Sequence, residues 1–180
     1  MTTRFAPWLA LAALLAGIAA GPAAAAGCTV LAGGGRSTSA DPRELEGWNR
    51  LNFSFFDAAL TAVGASRQVV PTFLTLGTAD AARLSDSVVA KAVEQGCRQL
   101  MMVSVFDDPS KPEGELVFAL HVAPLRAAGG ASAAAGRVSV GATEYEREYR
   151  YAATPATLSK VVPSRIAEQA VRDYLQSAAR

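Results

Sequence analysis

The chemistry-bearing groups of this 180-residue chain are few: two cysteines, Cys28 and Cys97, one histidine, His121, an Asp107-Asp108 pair, and a run of tyrosines among charges from Glu144 to Tyr151. Two thiols that approach each other in an oxidising compartment become a disulfide, and a Cys28–Cys97 bond is the expected use of these two. Ala25-Ala26-Gly27-Cys28 also reads as a lipobox. In that reading Cys28 is the lipidated N-terminus, Gly33-Gly34-Gly35 begins a tether, and Cys97 is left alone. A catalytic thiol would need His121 to reach it from another element and activate it.

His121 is a general base or metal ligand by type, but its neighbours at the same strand parity are Val117, Ala119 and Ala123. No G-x-S-x-G nucleophile elbow accompanies it. Asp107-Asp108 suits a hard cation, although Asp-Asp-Pro is also ordinary turn chemistry. The run from Val30 to Thr38 has the glycines of a phosphate-cradling loop without its Gly-Lys-Ser/Thr ending, and it offers Asp41 where an anion would sit. Nothing here specifies a catalytic residue, a metal or a cofactor. The most distinctive segment places Tyr145, Arg147, Tyr149 and Tyr151 on one face of a strand and Glu144, Glu146, Glu148 and Arg150 on the other. The tyrosines suit the rim of a core with the charges paired across strands. They also form a candidate interaction surface, since Tyr and Arg are enriched in protein interfaces.

These groups must be carried by a folded domain, and the N-terminus says where it works. Residues 1–26 have the form of a signal peptide: Arg4, an apolar run from Trp8 to Ala20, a Gly21-Pro22 break and an A-x-A pattern ending at Ala26. The apolar run is shorter than a retained span requires, so no membrane span is expected in the mature chain. The protein is therefore expected to be periplasmic or secreted, with an outer-membrane lipoprotein as the alternative if Cys28 carries lipid. The 17 Lys and Arg against 16 Asp and Glu become 16 of each once Arg4 is removed, so the mature chain is near neutral. That balance argues against nucleic acid as a partner.

The remaining residues divide into an N-terminal segment with its glycine-rich loop, 27–40, and a single domain, 41–180. Cys28 to Leu31 suits a short first strand. Asp41, Pro42 and Glu44 are start signals for a helix whose apolar residues Leu45, Trp48, Phe55, Phe56, Ala59, Leu60 and Val63 recur at helical spacing up to Gly64. Gln68 to Leu76 reads as a strand that Pro71 pushes to an edge or a bulge. A second helix is expected over 77–96, lined by Leu84, Val88, Ala92 and Val93. Arg98 to Phe106 is apolar at both parities and belongs near the centre of a sheet. Glu115 to Leu125 alternates and forms a hairpin with it, and 127–136 is a low-complexity loop. Arg137 to Tyr151 is the last strand, with a bulge expected near Thr143. A closing helix begins at Pro163. The fold class is thus α/β (α+β): a mixed sheet of about four strands with helices packed against it, in the order α-β-α-β-β-β-α, plus a short N-terminal strand if it joins.

The stretch from Val93 to Leu175 resembles the N-terminal α/β domain of TolB and related accessory lipoprotein domains. The likeness lies in a helix ending in Glu94-Gln95-Gly96, a central strand from Leu100 to Phe106, two further strands, and a closing helix from Ala167 to Leu175. It covers about half the mature chain and matches no functional residue. The resemblance implies a non-catalytic part in a bacterial envelope assembly, with another envelope protein as partner. The expected function is an exported binding or structural module. The alternative is a small hydrolase-like enzyme whose site is assembled from loops.

Overall fold

In the computed structural model, which describes residues 28–35, 41–75, 90, 95–110, 114–127 and 138–179, the start signals at Asp41 work as expected. Helix α1 (Pro42–Gly64) opens with Asp41 as N-cap, its carboxylate accepting a hydrogen bond from the Arg43 N–H at 2.8 Å, and with proline in the first turn. Its apolar stripe buries Phe55, Phe56, Ala59 and Val63 against a sheet. The strands are β1 (Thr29–Gly34), β2 (Val69–Leu74), β3 (Gln99–Asp108), β4 (Glu115–Ala127), β5 (Val138–Val140) and β6 (Tyr145–Ala152). Two helices follow, the single turn α2 (Pro155–Leu158) and α3 (Pro163–Ala178).

The strand order is β2-β1-β3-β4, and the far side of β4 is shared by β5 and β6. β1 pairs parallel with both β2 and β3, while β3, β4 and β6 run antiparallel. The N-terminal apolar run thus lies inside the sheet, between two partners. β2, which contains Pro71, takes an edge, where a missing N–H costs no ladder bond. β3, apolar at both parities, lies between β1 and β4 as its composition requires.

Six strands are seen among the described residues where about four, with a short N-terminal strand in addition, were expected: the N-terminal strand joins the sheet, and the last strand is split in two. The first strand does not stop at Leu31: Gly33 and Gly34, expected in a loop, continue β1. A Cβ at Gly33 would overlap the Phe56 ring, so glycine lets α1 lie close on the strand. The last strand is also broken. Val122 pairs with Tyr145 and Leu125 with Val140, so residues 141–144 bulge over the shorter stretch Ala123-Pro124. The excess is two residues, an even number, so the alternation of faces survives: Val140 shares a face with Leu125, and the tyrosines share the other with Val122. A bulge near Thr143 was expected from a shift of the apolar residues between even and odd positions; the bulge is there, but it does not realign the two sets, and Val140 stays on the face opposite the tyrosines.

α1 and α3 pack together on one face of the sheet over Leu31, Met101, Val103, Val105, Leu116, Phe118, Leu120 and Val122. Phe55 meets Phe118 edge-on at 5.2 Å between ring centres. Ile166, Ala167, Ala170, Val171 and Tyr174 complete this core from α3. Each fully buried large side chain contributes roughly 1.5–3 kcal/mol, which makes this the main source of stability. The opposite, outer face carries two smaller buried clusters, one around Cys28, Val30, Cys97, Leu100 and Leu125 and one of Phe106, Val117 and Ala119. No helix among the described residues is long and apolar enough to cross a membrane. The leader over 1–26, most of the helix expected over 77–96 and the loop over 128–136 lie outside the described residues.

Candidate functional site

Cys28 and Cys97 form a disulfide, with their Cα atoms 4.3 Å apart and a sequence separation of 69. The bond joins the residue before β1 to the entry of β3, where Gly96, at φ 93°, turns the chain and the Arg98 N–H donates to the Cys28 carbonyl at 3.3 Å. Both sulfurs are buried with Val30, Leu100 and Leu125. No cysteine is free.

The register of β3, β4 and β6 arranges the outer face in rows. Met102, His121 and Glu146 are opposite one another, then Ser104, Ala119 and Glu148, then Phe106, Val117 and Arg150, then Asp108, Glu115 and Ala152. Nδ1 of His121 lies 3.8 Å from a Glu146 carboxylate oxygen. Arg150 reaches Asp108 and Glu115 at 2.9 Å each, and Oε2 of Glu148 at 2.7 and 3.0 Å. The Ser110 hydroxyl and then Arg150 hold the Asp108 carboxyl down at about 2, and the Ser110 backbone N–H adds to this at 3.0 Å. The three carboxylates in turn push Arg150 upward. The Asp107-Asp108 motif therefore ends a strand and caps a turn, with Asp108 committed to Arg150.

The helix-side face of β6 carries Tyr145, Arg147, Tyr149 and Tyr151 opposite Val122, Leu120, Phe118 and Leu116. The three tyrosines are half-buried against the core and Arg147 is exposed. Tyr145 meets Tyr174 edge-on at 5.3 Å, Tyr151 meets Phe118 at 6.0 Å, and the Arg147 guanidinium stands 5.7 Å from the Tyr149 ring centre. The Tyr149 hydroxyl donates to Asp173 at 2.8 Å. Burial, then this bond, pushes the Tyr149 phenol up to about 12. Burial also raises Tyr145, with the Asp173 charge adding to it. A shallow groove beside α3 is lined by Tyr145, Arg147, Asp173, Gln176 and Ser177, so the predicted tyrosine-arginine surface is joined by polar residues of a second element.

Two polar sites escape the sequence reading. Asn52 sits in the apolar stripe of α1 at 2% exposure, its amide donating to the Val105 carbonyl at 2.9 Å and accepting from the Val105 N–H at 2.7 Å. It stands where β1, now ended, would have continued to pair with β3. The visible signal was an asparagine four residues after Trp48 and three before Phe55. The second site gathers at the start of the parallel strands, where Gln99 Oε1 accepts from Arg67 at 2.9 Å and from the Tyr174 hydroxyl at 2.8 Å. Nothing in the spacing of residues 67, 99 and 174 foretells that meeting.

No family model matches the chain, and no curated protein does. Among solved structures, a PelC dodecamer from Paraburkholderia phytofirmans is similar at 16% identity and a TM-score of 0.38, over 83% of this chain and 86% of that one. Lipoprotein GNA1162 from Neisseria meningitidis is similar at 11% identity and a TM-score of 0.35, over 84% of this chain and 98% of that one. Likeness at this level passes neither partner nor activity to this chain, and the TolB-like pattern stays one of layout.

Proposed function

We propose that this chain is an exported, non-catalytic binding or structural module of the bacterial envelope that meets a partner protein through Tyr145, Arg147, Tyr149 and Tyr151. The observation that carries the reading is the Cys28–Cys97 disulfide, two residues beyond the A-x-A pattern. A two-cysteine chain that pairs both thiols is built for an oxidising compartment, and a cytosolic protein would be kept reduced. The disulfide reading uses both cysteines and leaves no thiol for a lipid anchor at Cys28. The contact surface is supported by its anatomy: Arg147 is exposed over a tyrosine ring, its neighbours are fixed by core packing and by Asp173, and little ordering entropy remains to be lost on binding.

A photo-crosslinking residue in place of Arg147, with a second chain carrying it at Arg50 on the exposed side of α1 as control, tests this in cells. The expected result is one discrete envelope protein joined at position 147 and absent from position 50. No crosslink at 147, or the same products from both positions, would contradict the proposal.

A further inference from the structure

We infer that the outer face of the β4–β6 pair binds a first-row divalent metal ion of the zinc class through His121, Glu146 and Glu148. One ligand atom from each of these residues lies within 4.8 Å of the others, which no pairing in the linear sequence announces. The register explains it: His121 and Glu146 are direct cross-strand partners, and Glu148 is two residues along the same face of β6. Beside them, in the row of Glu148, stand Ala119 and Ser104, neither of which brings a competing charge.

The donor set and its surroundings fit a cation. A borderline imidazole nitrogen with two hard carboxylate oxygens is a donor set that zinc accepts, at roughly 2.0–2.2 Å from the ion, so the donors must draw in by about an ångström. The Glu146 side chain is 58% exposed and His121 27%, so the movement disturbs no core. Arg150 engages only Oε2 of Glu148, which leaves Oε1 to ligate while the guanidinium orients the carboxylate from behind. Asp108, Glu115 and Glu148 share the guanidinium of Arg150, and Glu146 stands beside His121, so among these described groups the carboxylates outnumber the fixed cation, an excess of negative charge that a divalent ion offsets.

Titration calorimetry of the untagged, processed protein with Zn²⁺ alone tests the site. The expected result is one ion per chain with a Kd in the micromolar range, weakened at least tenfold by His121→Ala and by Glu146→Gln. Both variants should keep the wild-type melting temperature in the metal-free state, since neither side chain is in the core. A Co²⁺ titration gives a second readout, a visible ligand-field band that His121→Ala abolishes. Absence of binding up to millimolar Zn²⁺, binding unchanged in His121→Ala, or equal displacement by Ca²⁺ would each overturn the inference.

Discussion

Replacing Asn52 with alanine should cost far more than an exposed asparagine in a helix would. The side chain makes three hydrogen bonds: to the Val105 N–H at 2.7 Å, to the Val105 carbonyl at 2.9 Å and to the Trp48 carbonyl at 3.0 Å. The Trp48 carbonyl belongs to the α1 backbone, so the Val105 pair is the main loss. With the amide gone, both Val105 groups are buried unpaired, at roughly 1–3 kcal/mol each, and a small cavity opens between α1 and β3. The expected loss is about 2–5 kcal/mol out of a total near 5–15 kcal/mol. Asn52→Asp keeps the acceptor for the Val105 N–H but removes the donor and buries a charge, so it should be no better than alanine. Urea unfolding of the oxidised protein measures the difference, and hydrogen exchange at the Val105 amide localises it. A loss below about 0.5 kcal/mol with unchanged exchange at Val105 would refute the bridging role.

Three further outcomes are expected. The Cys28→Ala, Cys97→Ala protein should melt roughly 8–16 °C lower, because closing a loop of this length restricts the unfolded chain by about 4 kcal/mol and each kcal/mol moves a domain of this size by about 2–4 °C; calorimetry with and without reductant decides it. Gly33→Ala should lose roughly 1–3 kcal/mol in urea unfolding through overlap with Phe56, whereas Gly47→Ala, with open space around it in α1, should gain roughly 0.5–1 kcal/mol. Asp108 lies below its ordinary 3.8 in the folded chain, at about 2, so its stabilising contribution is present above pH 3.8 and lost as pH falls toward 2. Urea midpoints at pH 5 and pH 2.5 should therefore differ less in a Ser110→Ala, Arg150→Gln double variant than in the wild type.

The elements legible in the sequence were those set by local chemistry. Asp41-Pro42 fixed the start of α1, Pro71 sent β2 to an edge, and the unbroken apolar run of β3 put it inside the sheet. The disulfide was legible from the count of two cysteines and from the export that the N-terminal pattern leads one to expect. What escaped was decided by contact between distant segments. Gly33 and Gly34 look like a loop until Phe56 is laid across them, and the role of Asn52 exists only because β1 ends opposite Val105. The cluster of His121 with Glu146 and Glu148 depends on a β4–β6 register that alternation alone does not specify. On its own strand His121 has only apolar neighbours at the same parity; its carboxylates come from the next strand across.

The central claim, an exported module closed by its two cysteines, meets its most direct test in the intact mass of the protein released from cells by osmotic shock, before and after alkylation. The account predicts a chain of residues 27–180 that is two hydrogens short of the reduced mass and takes up alkylating reagent only after reduction. A mass that includes residues 1–26, a diacylglyceryl adduct on Cys28, or two thiols alkylated without reductant would contradict it.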